Sequence, residues 1–180
     1  MPPVIDKACG EGLMPDALGA LESLGVLMTE DDGYCFRGIG FANCNHLVDT
    51  FLPEGHGIGV RRTRLHNRLV QHASHSGADL LWNNCVKLID PHDALINGVP
   101  ISFKWLVGAD GQGSAVRRWS GLDQTRKKQI RYGFRRHYEV KPWSQLVEVH
   151  WGRRGQLYIT PVSQRCVCVV LVASGDYHTQ

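Results

Sequence analysis

Apolar positions first recur at helical spacing. Leu18, Leu21 and Leu24 lie three residues apart between Pro15, suited to a first helical turn, and Gly25, suited to a helix stop, so this segment reads as an amphipathic helix. The period then shortens. Tyr34, Phe36, Ile39 and Phe41 lead to the polar corner Asn43-Cys44-Asn45, and Leu47, Val48 and Phe51 follow, which predicts two strands joined by a short turn. A second helical stripe, Leu65, Leu69 and Ala73 with Val70 beside them, sends Arg64, Arg68, Gln71 and His72 toward solvent and ends at Gly77. Ala78 to Trp82 reads as a strand, and strand, helix and strand in this order predict a parallel crossover. Val86 to Ile89 is a further strand. Two short apolar runs then flank Asn97-Gly98, the strongest short hairpin signal.

The stretch Leu106 to Gly121, LVGADGQGSAVRRWSG, follows the run Lys104 to Val107, which reads as a strand ending at Gly108. Asp110-Gly111 is a turn dipeptide. Ser114 stands at an N-cap position before Ala115 to Trp119, and Gly121 stops that short helix. A carboxylate, bare glycine amides and a helix N-terminus converge there, which suits a nucleotide: amides for phosphate, carboxylate for a ribose hydroxyl. A ligand-free strand-to-helix connection has the same residue pattern.

Beyond Gly121 the composition shifts. Asp123 to Gln129 is a polar connector, and four apolar-aromatic runs (132–140, 146–151, 157–162 and 166–172), separated by turn residues, predict an antiparallel sheet. Arg126, Lys127, Lys128, Arg131, Arg135 and Arg136 form a basic run, but Arg135 and Arg136 are adjacent and face opposite sides of a strand, so a solvated face explains the run better than nucleic acid.

Composition narrows this only slightly. With 180 residues, 43% hydrophobic and 21% charged, and a net charge of +3, the chain reads as ordinary soluble globular sequence that demands no nucleic-acid or membrane partner. No run approaches the ~18 apolar residues of a membrane span, and MPPVIDKACGEG has no signal-peptide core, so a cytoplasmic location is expected. Six cysteines show no C-x-x-C spacing; buried or incidental thiols account for them, and Cys44 with His46 lacks the further ligands a zinc site needs, so no metal is expected.

GADGQGSAVR resembles the GADG-x-x-S-x-V-R fingerprint of the FAD-dependent monooxygenases and geranylgeranyl-reductase-like flavoproteins, with Asp110, Gly111, Ser114 and Arg117 on the matching positions. Cys9-Gly10-Glu11-Gly12-Leu13 resembles a loop that borders the flavin in the reductase-like branch, with Cys9, Gly10 and Leu13 matching. Arg62, three residues before Leu65, falls where that family places an arginine on the flavin nucleotide. The resemblance implies a mixed α/β (α+β) architecture, an incomplete three-layer FAD/NAD(P)-binding fold followed by an antiparallel β-sheet substrate subdomain. Residues 1–122 would be the partial FAD-binding domain, with 33–60 shared with the substrate-side sheet, and 123–180 would be part of that sheet. It further implies FAD as cofactor, NAD(P)H as electron donor and a small-molecule substrate.

That family opens with a strand, a G-x-G-x-x-G turn and a helix. The G-x-G occurrences at Gly10, Gly38, Gly55, Gly57 and Gly111 have no glycine at the sixth place, and the final Gly175-Asp176 is followed only by a few residues. The resemblance therefore implies the middle portion of a longer oxidoreductase, hydroxylating or reducing a double bond. Taken alone it would be inactive, would bind FAD weakly or not at all, and would be prone to associate through exposed sheet edges. A non-catalytic interaction module that retains this scaffold is the alternative.

Overall fold

The computed structural model describes residues 5–123 and 131–174. In chain order the elements are β1 (Gly12–Leu13), α1 (Pro15–Ser23), a 3-10 turn (Glu30–Asp32), β2 (Tyr34–Phe36), β3 (Gly38–Ala42), β4 (Leu47–Phe51), β5 (Gly57–Gly59), α2 (Arg62–His75), β6 (Val86–Leu88), β7 (Asp93–Ile96), β8 (Val99–Ser102), α3 (Ala115–Trp119), β9 (Arg131–Tyr138), β10 (Leu146–Gly152), β11 (Gly155–Ser163) and β12 (Cys166–Ser174). The fold is mixed α and β. Residues 5–78 with 131–174 make one compact unit and residues 79–123 a second.

Among the described residues, the three α-helices end alike. Gly25, Gly77 and Gly121 each hold positive φ, and in each case the glycine N–H and the N–H after it turn back onto carbonyls of the last helical turn, as Gly25 does to Glu22 and Val26 to Leu21. The helix stops expected from sequence stand where glycine supplies that backbone conformation.

In the larger unit, β1-β5-β2 form a small antiparallel sheet, and β4-β3-β10-β11-β12-β9 form a six-stranded one in which only the β3–β10 pair is parallel. The run Tyr34 to Phe41 is thus two strands rather than one. The chain changes sheets at Arg37, between β2 and β3, and the Asn43–Asn45 corner then closes the β3–β4 hairpin, with the Asn43 carboxamide accepting the N–H groups of Asn45 and His46. β10, β11 and β12 form the expected meander. β9 departs from it: instead of lying beside β10 it pairs with β12, at the sheet's edge. Both sides of β10 are already paired, with β3 and β11, whereas β12 has a free edge.

The two sheets meet at β11. A Cβ on Gly59 would overlap the Pro161 carbonyl, and one on Gly12 would touch Phe36 and the Thr160 methyl, so small residues set the approach. Val26, Met28, Ile58 and Val60 form one core cluster with Leu13, Leu18, Leu21 and Leu65 against it; Val162, Cys168 and Val170 form another with Tyr158 and Val172. Burying side chains such as Ile58 and Val60 is worth roughly 1.5–3 kcal/mol each. Leu24 is an exception to the predicted stripe, being exposed at the end of α1.

Two sequence expectations fail here. Ala78 to Trp82 forms no strand, and β5 before α2 pairs antiparallel with β1 and β2, so no parallel crossover forms around α2. Arg64 and Arg68 are not simply solvated, because both bind the buried carboxylate of Asp32 at 2.9 Å.

In the smaller unit, β6, β7 and β8 make an antiparallel ribbon. Asn97 and Gly98 both have positive φ, the primed turn that their sequence calls for. Lys104 to Val107, predicted as a strand, is irregular, with Trp105 and Val107 exposed. A strand needs a neighbour to complete its ladder, and among the described residues none pairs with this run.

Candidate functional site

The sequence candidates fall into two groups, one in each unit. In the smaller unit, Gly111 supplies a positive-φ turn after Asp110, and an added Cβ there would meet nothing within 4 Å. The Asp110 carboxylate turns onto the start of α3, accepting the Ser114 hydroxyl at 2.5 Å and the N–H groups of Ala115 at 2.6 Å and Val116 at 3.2 Å. Ser114 in turn accepts the Arg117 N–H at 2.9 Å, the N-cap bond expected from sequence. The Ser114 hydroxyl and the two amides together hold the Asp110 carboxyl down at about 2. The Arg117 guanidinium folds back on the Gln112 carbonyl at 2.6 Å and pairs with Asp123 at 3.2 Å, while Arg118 reaches the Gly113 carbonyl at 2.8 Å.

The fingerprint is therefore internally bonded. Helix amides that the sequence reading offered to a phosphate are taken by Asp110, and about three of the four lone-pair sites of its carboxylate are in use. What it still presents outward is the glycine turn and one acceptor site.

In the larger unit, the Cys9-Gly10 loop runs into Glu11, a residue that sequence reasoning passed over. Glu11 has φ of 57°, rare for a residue with a side chain, and its carboxylate is fully buried. Oε1 accepts the main-chain N–H of Arg62 at 2.9 Å and Nη1 of Arg135 at 3.1 Å, while Oε2 lies 2.6 Å from Nε2 of His137. Arg135 also binds the Lys7 carbonyl at 2.8 Å and the Asp6 carboxylate at 2.6 Å. Glu11's own carbonyl accepts the Val60 N–H at 2.7 Å. One carboxylate thus joins the Cys9-Gly10 loop, the first residue of α2 and the edge strand β9.

Glu11, His137 and Cys168 place ligand-type atoms within 4.8 Å of one another. Their chemistry is that of a hydrogen-bonded latch. Both Glu11 oxygens are already engaged, one by a guanidinium, and burial pushes the Cys168 thiol far above its ordinary value, whereas a metal needs the thiolate. The Cys168 thiol instead points at the Cys9 carbonyl, 3.8 Å away.

Two features around this loop suit a bound nucleotide. Nε of Arg61 and Nε of Arg62 are buried with no hydrogen-bond partner among the described residues, and an added Cβ on Gly10 would meet nothing within 4 Å. Further out, on the face of the six-stranded sheet that carries Phe41, Val48 and Trp151, a cavity of about 410 Å³ is lined by these three with Ala42, Asn43 and His46.

The three-dimensional likeness is extensive. PqsL, a probable FAD-dependent monooxygenase from Pseudomonas aeruginosa, superposes with a TM-score of 0.78 at 16% identity over 96% of this chain and 52% of that one. A geranylgeranyl bacteriochlorophyll reductase-like protein from Thermoplasma acidophilum gives 0.76 at 18% identity over 96% of this chain and 48% of that one. The chain carries the fold that these two structures share. It holds part of that fold, spanning about half the length of these two structures. In sequence, it is 28% identical over 131 residues to menaquinone reductase of Mycobacterium tuberculosis, covering 63% of this chain and 32% of that protein. No protein-family model matches the chain. Among the described residues, no helix is long and apolar enough to cross a membrane.

Proposed function

We propose that this chain is part of a FAD-dependent, NAD(P)H-linked oxidoreductase of the double-bond-reductase type, acting on an apolar, quinone-like small molecule. In this reading 1–122 is the flavin-side portion and 123–180, with strands from 33–60, the substrate side. The observation that carries it is the Glu11 carboxylate, which bonds the Arg62 N–H and so brings the Cys9-Gly10 loop to the head of α2. These are the two features of this unit that the flavoprotein resemblance marks for flavin contact.

The donor set fits. Arg62, with its buried unpartnered Nε, would hold the diphosphate of the cofactor, and Cys9 and Gly10 would border the ring. Taken by itself, the smaller unit offers Asp110 and Gly111, in a turn shaped by Ser114 and Arg117, as its own candidates for cofactor contact. When bound, FAD supplies the hydride chemistry, and the protein's part is to bind, orient and exclude water. Support for an apolar substrate comes from the cavity lined by Phe41, Val48 and Trp151, and from the similarity to menaquinone reductase.

The test is a titration of the protein with FAD, followed by flavin fluorescence. Weak, saturable binding is expected, and Arg62→Ala should weaken it about tenfold, the loss expected for one charge-assisted hydrogen bond. The variant keeps its main-chain N–H, so the bond to Glu11 and the fold survive. Flavin binding that Arg62→Ala leaves unchanged would overturn the role given to Arg62; a non-catalytic interaction module built on the same scaffold is the alternative reading.

A further inference from the structure

Strand register gathers three arginines at one end of the six-stranded sheet. Arg131, the first residue of β9, lies opposite Ser174 of β12, and β12's Ala173 lies opposite Gly155, where β11 leaves its turn. That turn is Gly152-Arg153-Arg154-Gly155, a tight connection from β10. Gly155 is fixed by the packing, because a Cβ there would come within 2.6 Å of the Val172 carbonyl, so the hairpin tip is held against β12.

The three guanidinium-bearing residues line one cavity of about 260 Å³, with Gly152, Gly155, Gln156, Val172, Ala173 and Ser174 completing it. Among the described residues, no carboxylate belongs to that lining. Among the described residues, the guanidinium groups of Arg131, Arg153 and Arg154 have no ion pair or hydrogen bond, unlike those of Arg64, Arg68, Arg117 and Arg135, which all pair with carboxylates. Three like charges converging on a hollow repel one another, and a multivalent anion is what would relieve that repulsion.

We propose that this hollow at the β10–β11 hairpin is a binding site for a diphosphate group of a small molecule, held by Arg131, Arg153 and Arg154 with Gln156 and Ser174 as hydrogen-bonding neighbours. A phosphate-bearing membrane surface offers the same chemistry, but a concave site closed on one side by β12 suits a compact ligand better than a plane. The site is independent of the flavin reading, since none of its residues belongs to the Glu11 cluster or to the fingerprint.

The experiment is calorimetric titration of the protein with inorganic pyrophosphate in moderate salt. Saturable one-site binding is expected, falling at least tenfold in Arg153→Gln/Arg154→Gln and weakening as salt rises. All three arginines are exposed, so these variants should retain the far-UV spectrum of the parent. Arg136→Gln is the control for loss of a positive charge elsewhere on β9: Arg136 sits on the opposite face of β9 from Arg131 and stacks over Tyr138 at 5.4 Å, and its loss should leave pyrophosphate affinity unchanged. The proposal is overturned by an absence of saturable binding, by an equal loss in Arg136→Gln, or by binding to phosphatidylglycerol vesicles that pyrophosphate does not compete away.

Discussion

Glu11 Oε1 accepts the main-chain N–H of Arg62 at 2.9 Å across 51 residues of sequence. That bond fixes the Cys9-Gly10 loop to the first turn of α2. The carboxylate also holds Arg135 and His137 of β9, so one side chain positions three separate stretches of chain.

Removing the Glu11 carboxylate should therefore cost more than a surface change. Glu11→Ala leaves Arg135, 11% exposed, without one of its two carboxylate partners, and breaking a buried pair in this way costs about 3 kcal/mol. Glu11→Gly should be milder by about 1 kcal/mol, because glycine relieves the positive φ. Urea unfolding measures both. A loss below about 1 kcal/mol in Glu11→Ala would show that the cluster is not a structural anchor.

The start of α3 should respond to acid. Asp110 has a lower pKa in the folded chain, about 2, than the ordinary 3.8, so its bonds to Ser114, Ala115 and Val116 are complete above about pH 4 and are lost as pH falls through about 2. Amide chemical shifts of Ala115 and Val116 should follow that titration, and Asp110→Asn should abolish it. A midpoint at the ordinary 3.8 would contradict the capping geometry.

Asp32 is the second carboxylate with a pH signature. Burial pushes its pKa up, but Arg68, the Thr29 N–H and Arg64 outweigh that and hold it below 3.8. Its contribution is accordingly intact above that value and is lost as pH drops below it. Asp32→Asn should cost about 1–2 kcal/mol at neutral pH, since both arginines are half exposed and regain water, and it should flatten the acid limb of the stability profile. An unchanged acid limb would rule this ion cluster out as its source.

The contact between the two sheets of the larger unit should be intolerant at Gly59. Gly59→Ala places a methyl on the Pro161 carbonyl and 3.1 Å from the Thr160 methyl, so β5 and β11 must separate. A loss of about 3 kcal/mol is expected from such overpacking, read as a lowered denaturation midpoint. Gly10→Ala, with open space around it, is the matched control and should unfold like the parent.

The sequence by itself determined the features whose causes lie within a few residues. Gly25, Gly77 and Gly121 end helices because only they take positive φ cheaply there, Asn97-Gly98 turns a hairpin for the same reason, and apolar runs bounded by turn residues mark β10, β11 and β12. The Cys9-Gly10 loop, Arg62 and the GADG fingerprint were legible as motifs too. Tertiary structure decided what depends on distant partners. Lys104 to Val107 and Ala78 to Trp82 have strand-like composition, yet form no strand because composition cannot supply a neighbouring ladder. Glu11 looked like a spacer between two glycines, and only the register that sets His137 opposite Cys168 in β12 brings Arg135 and His137 of β9 to it. Local dihedral preferences act over one turn of chain; a buried charge finds its partners only once the sheets have closed around it.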